Sequence, residues 1–153
     1  MTFASGERTM PATNTTVADV LGRAHAKLLQ DLRQLEEAAR TASGQGAVQL
    51  HACLARTWSD LAEHFQFEEQ NGYMGAVRLR EPRLEHAIRQ LAEEHRQLTQ
   101  SLDTLMTNAK AAAHVTDEFC QELHAWVERV RDHEARENQL VQDSFNLDIT
   151  GED

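Results

Sequence analysis

His64-Phe65-Gln66-Phe67-Glu68-Glu69 is the stretch whose reading decides the fold. Upstream of it, Leu50, Leu54, Thr57 and Leu61 recur at steps of four, three and four, and His64 and Glu68 continue the same step. Residues spaced this way stack along one side of an α-helix, the side that a bundled helix turns inward. A histidine and a carboxylate therefore stand where leucines are expected. A second His-x-x-x-Glu pair occurs at His133 and Glu137.

Working outward, the pattern predicts four helices. The first starts near Thr15 or Thr16, with Asp19 in its first turn, and carries the seam Leu21, His25, Leu28, Leu32, Leu35, Ala39 up to Ser43-Gly44-Gln45-Gly46. The second carries the quoted stretch, and Asn71-Gly72-Tyr73-Met74-Gly75 places its end between 70 and 80. Pro82 suits the first turn of the third helix, whose seam is Leu84, Ile88, Leu91, His95, Leu98, Leu102, Leu105. After His114-Val115-Thr116, Thr116 with Asp117 and Glu118 opens the fourth, whose seam is Phe119, Leu123, Trp126, Val130, His133, Glu137, Leu140. The expected architecture is all-α: an antiparallel up-down-up-down four-helix bundle over 15–143, between an N-terminal tail at 1–14 and a C-terminal tail at 144–153.

Composition agrees. With 153 residues, seven Gly and two Pro, the chain suits one helical domain with a full core. A net charge of −10 with no basic cluster argues against a nucleic-acid surface. No apolar run approaches the roughly 20 residues that span a bilayer, so no membrane partner is expected. The start of the chain lacks the apolar core of a secretory signal. Cys53 and Cys120 lack metal-ligand spacing and a disulfide framework, and read as buried apolar-like thiols in a reducing cytoplasm.

The seams also sort the polar residues. His25, His64, His95 and His133 fall on them, one per helix, whereas His51, His86, His114 and His124 fall elsewhere and read as solvated. Glu68 and Glu137 are the glutamates on a seam. In an up-and-down bundle, residues at one height lie equally far along the chain from the connection between their helices. The midpoints between His25, the His64/Glu68 pair, His95 and the His133/Glu137 pair, taken in turn, fall near Gln45–Gly46, Glu81 and Val115, in or beside the expected connections. The six residues therefore share one layer. A buried unpaired carboxylate costs several kcal/mol. Divalent cations relieve that cost, and imidazole with carboxylate suits iron, with zinc or manganese as substitutes. Glu69 and Glu94 flank ligands but point off the seam, toward second-rank or solvent positions. Tyr73 reads as a packing residue, and Trp58, Phe65, Phe67 and Trp126 as an apolar surround.

This arrangement resembles the hemerythrin-like (HHE) domain family from about 17 to 142. The resemblance rests on His25, the His64–Glu69 motif, Glu94-His95, and His133 with Glu137. It implies a four-helix bundle with a non-haem di-iron centre. His25, His64, His95 and His133 would be terminal ligands, and Glu68 and Glu137 would bridge the irons. Oxygen-carrying hemerythrins have a further histidine four residues away on the third helix. Here Leu91 and Thr99 stand at those positions, which removes a ligand and counts against reversible oxygen carriage. Two six-coordinate irons offer about 12 positions. Two bridging carboxylates, four histidines and an oxo or hydroxo bridge leave about two positions open to water, O2, NO or peroxide, unless Glu69, Glu94 or Tyr73 moves in. Ferritin-like proteins use Glu-x-x-His pairs, and no histidine here has a Glu three residues before it.

The expected function is non-enzymatic: a di-iron protein that binds O2 or a related small molecule (NO, peroxide) as store or sensor. The alternatives are an iron-supply or NO/peroxide-handling enzyme and a metal-stabilised interaction module. The physiological ligand, protein partner and oligomeric state are not written in the sequence.

Overall fold

The computed structural model describes residues 14–151. Its order is α1 (Asn14–Thr41), α2 (Val48–Gln70), α3 (Tyr73–Arg80), a single 3-10 turn at Pro82–Leu84, α4 (Glu85–Ala111) and α5 (Asp117–Gly151). The four long helices form the bundle. α1 lies beside α2 and α5, and α4 lies beside the same two, so α1 and α4 face each other across the core. The tail expected at 1–14 lies outside the described residues except for Asn14, which already belongs to α1.

One end of the bundle is closed by its two loops. The Gly44 N–H donates to the Val115 carbonyl at 2.8 Å, and the Val115 N–H donates to the Gln45 carbonyl at 2.9 Å. Gly44 adopts φ +79°, a left-handed conformation that glycine takes without steric cost. The Thr116 hydroxyl accepts the Phe119 N–H at 3.0 Å, the N-cap arrangement read from the sequence.

The other end is closed by α3, the element that the sequence pattern leaves unresolved. It packs on α2, α4 and α5. A Cβ at Gly72 would lie 2.8 Å from the Glu68 Cα and 3.1 Å from the Phe67 carbonyl, so only glycine permits so tight a corner after α2. At the far end of α3, Arg80 donates to the Ser144 carbonyl at 3.2 Å and lies over the Phe145 ring at 4.8 Å. Ser144 and Phe145 are buried, and α5 runs on to Gly151 where the sequence pattern places a tail. Phe145 belongs to the apolar cluster under α3, and burying it keeps this turn helical.

The core is in two parts. A large cluster built on Leu32, Leu54, Leu102 and Leu123 fills the loop end, and a smaller one around Met74, Val77, Ile88 and Val141 lies beneath α3. A polar layer separates them.

Candidate metal centre

The polar layer holds the six seam residues. His25, Glu68, His95, His133 and Glu137 are at most 3% exposed, and the His64 side chain, at 13%, is the layer's contact with the outside. All six converge. Glu68 turns Oε2 toward His64 Nε2 at 2.9 Å and His25 Nε2 at 3.1 Å, and Oε1 toward His95 Nε2 at 3.1 Å. Glu137 presents Oε1 to His25 Nε2 at 3.0 Å, and Oε2 to His95 Nε2 at 3.1 Å and His133 Nε2 at 3.2 Å. Each carboxylate thus divides its two oxygens between one pair of imidazoles, His25 and His64, and the other, His95 and His133.

A third carboxylate joins them. Glu134 is 2% exposed, and its Oε2 lies 3.8 Å from His64 Nε2 and 4.0 Å from His25 Nε2. The seam reading misses it because the buried arc of α5 is wider than one heptad seam. Val127, Glu134 and Val141 form a second inward row at steps of seven, and all three are buried. That row is the signal in the sequence.

The outer nitrogens are held as well. The Glu69 carboxylate is 2.6 Å from His95 Nδ1, and that of Glu94 is 2.8 Å from His133 Nδ1. Arg136 grips Glu94 with two hydrogen bonds of 2.7 and 2.8 Å. His25 Nδ1 meets the Asn138 side-chain oxygen at 3.0 Å. A partner on the outer nitrogen fixes the ring and leaves Nε2 to face inward. Glu69 and Glu94 therefore support the His95 and His133 rings from behind, as their place off the seam suggests.

Tyr73 corrects a sequence expectation. Its ring is buried among the residues beneath α3, but its hydroxyl donates to Glu137 Oε2 at 2.8 Å. The tight corner at Gly72 turns the chain back and delivers it. The aromatic surround is also only partly as expected. Phe65 stacks on His95 with centroids 3.9 Å apart and planes 9° apart, and Trp126 is buried with its indole N–H on the Leu98 carbonyl at 3.0 Å. Trp58 is half-buried, whereas Phe67 is 49% exposed, since it sits one position off the inward side of α2. Of the remaining histidines, His86, His114 and His124 are exposed and His51 is half-buried. Cys53 and Cys120 are free and half-buried, less enclosed than expected.

The electrostatics are those of a concentrated polar layer. Burial by itself lowers the His25 pKa, but hydrogen bonds to Glu137 and Glu68 outweigh it and raise the value to about 10. His95 is likewise raised to about 10, burial being overcome by Glu137 and Glu68. Burial would raise Glu68 and Glu137, yet their imidazole partners hold both below the ordinary carboxylate range. Glu134 has no such bond, and burial pushes it up to about 8. Burial and the Glu137 and Glu68 charges push the Tyr73 phenol up, which keeps its proton available for donation.

The donor set fits divalent cations. Glu68, His95, His133 and Glu137 offer ligand atoms within 4.8 Å of one another, and so do His25, His64 and Glu134. His64 Nε2, His133 Nε2, Glu68 Oε1 and both Glu134 oxygens are buried with no aligned hydrogen bond. Buried polar atoms without partners are costly, and bound ions satisfy them.

Bundle and donor layer together define a helical cation-binding protein. The chain belongs to the hemerythrin family: the hemerythrin HHE cation-binding domain matches residues 16–143. No curated protein and no solved structure matches it. No helix among the described residues is long and apolar enough to cross a membrane.

Proposed function

We propose that the layer holds two iron ions side by side, one by His25, His64 and Glu134 and one by His95 and His133, with Glu68 and Glu137 shared between them. The observation that carries this reading is the division of each shared carboxylate between the two imidazole pairs. Zinc or manganese would fit the same donors. A pair of irons, unlike zinc, would supply reversible one-electron chemistry as well as coordination positions for small ligands.

The two halves are unequal. The His25 side has two imidazoles and a terminal carboxylate beside the shared oxygens, whereas the His95 side has only its two imidazoles. The donor-poor half is where an external ligand binds. The function that follows is binding of O2, NO or peroxide, as a store or sensor, in a reducing cytoplasm. Anaerobic ferrous protein exposed to O2 should develop a new near-ultraviolet charge-transfer band, and an unchanged spectrum would remove this reading. The same inequality favours a second reading, NO or peroxide turnover or release of iron to an acceptor. Steady consumption of NO or hydrogen peroxide by the iron-loaded protein would select it, and tight iron retention without turnover would discard it.

A further inference from the structure

An apolar cavity of about 330 Å³ opens between the first turns of α1 and the α2–α3 corner. Val20, Leu21, Ala24, Phe67 and Ala76 line its walls, and His64, Glu68 and Tyr73 form its inner end. His64 is also the most exposed of the layer's donors, so this cavity reaches the layer where its shell is thinnest. Val20, at 41%, and Phe67, at 49%, are among the few large apolar side chains left exposed, and both belong to this cavity. Exposed apolar surface gathered at a concave site marks a place where ligands bind.

Size, charge and polarity narrow the ligand. A water-sized molecule takes about 30 Å³, so a diatomic gas occupies a small part of this space and roughly ten heavy atoms are needed to fill it. Among the described residues no lysine or arginine lines the cavity, and Glu68 lies at its inner end, which disfavours carboxylates and phosphates. Organic cations are disfavoured too, because both oxygens of Glu68 already face imidazole nitrogens. What remains is a neutral molecule with an apolar body and one polar end.

We propose that this cavity binds neutral alkyl or aryl oxygen compounds, such as an organic hydroperoxide or its alcohol, with the oxygen-bearing end against His64, Glu68 and Tyr73 and the body against Val20, Leu21, Phe67 and Ala76. The inference goes beyond the small-ligand reading of the metal layer and stands apart from it, because the cavity ends at His64, in the donor-rich half, and not at His95 and His133.

Calorimetric titration of the full-length protein, as purified, with 1-hexanol and with hexanoate tests it. Saturable binding of hexanol, at least tenfold tighter than hexanoate, is expected. Ala76→Trp fills the cavity from α3 and should weaken hexanol binding at least tenfold, and Phe67→Ser removes one exposed apolar wall and should weaken it several-fold. Phe67 is exposed, so that variant leaves the core packing untouched should Ala76→Trp fail to fold. Non-saturable binding, equal affinity for hexanoate, or hexanol affinity unchanged in both variants would overturn the proposal. Iron content measured on the same samples reports separately on the metal layer: hexanol binding by protein that takes up no iron would sustain the cavity and refute the iron reading, and iron-replete protein that ignores hexanol would do the reverse.

Discussion

Glu134 Oε2 stands 4.0 Å from His25 Nε2, with both side chains buried. The separation is too long for a hydrogen bond and short enough for two ligands of one cation. Neither Glu134 oxygen accepts a hydrogen bond among the described residues, although a buried carboxylate without one is among the costliest groups a protein core can hold.

Replacing Glu134 by Gln should therefore act in opposite directions with and without metal. In metal-free protein the amide removes a buried ionisable group that titrates near pH 8, so Glu134→Gln should raise the Tm at pH 9. In loaded protein it should lower the iron count per chain by selectively weakening the His25 and His64 half. Melting curves and elemental analysis on one preparation measure both, and a loss of stability in the metal-free form at pH 9 would contradict the assignment.

The pH dependence of the metal-free fold follows in sign. The folded-state values of His25 and His95, about 10, exceed the ordinary 6.5, so their contribution is complete below pH 6.5 and is lost as pH rises toward 10. Glu134, at about 8 against 4.5, loses its contribution between those values. Glu68 and Glu137 lie below 4.5, so theirs is lost as acid is added below that point. Metal-free protein should melt highest near pH 4.5, fall as Glu134 loses its contribution up to about pH 8, and be lower still at pH 9. Loading with metal at pH 7 should release up to three protons, from His25, His95 and Glu134, because ligands bind deprotonated. Calorimetry in buffers of different ionisation enthalpy counts them, and a release of none would count against these ligands.

Tyr73→Phe deletes the donor to Glu137 while keeping the ring beneath α3. A hydrogen bond to a charged group is worth about 1.5–3 kcal/mol, which for a chain of this size corresponds to a loss of roughly 3–12 °C in Tm. The secondary structure seen by circular dichroism should not change.

Gly72→Ala tests the corner that brings Tyr73 inward. The new Cβ meets backbone atoms of Glu68 and Phe67, which cannot rotate away, so α2 or α3 must shift. A loss of about 1–3 kcal/mol is expected from forced repacking, with a change in the iron absorption spectrum that a purely peripheral substitution would not produce.

The sequence made the layer legible wherever the arrangement depends on helical repeat alone. His25, His64, Glu68, His95, His133 and Glu137 lie at one height because loop positions and a step of three or four determine helix register. Glu134 escaped because the width of the arc that α5 buries is set by how its neighbours pack around it, a tertiary quantity. Tyr73 escaped for a related reason: Asn71-Gly72 shows that the helix weakens, but not that the chain turns back across the bundle end. Phe145 is buried only because α3 lies over it, and the sequence of α5 alone reads as a fraying end.

Elemental analysis of protein purified without added metal, paired with its absorption spectrum, tests the central claim most directly. Two irons per chain with near-ultraviolet charge-transfer absorption are expected, falling sharply in Glu68→Ala and Glu137→Ala, which remove the shared carboxylates. Protein that holds no iron and takes up none on anaerobic reconstitution, or that keeps a full complement in both variants, would contradict the account.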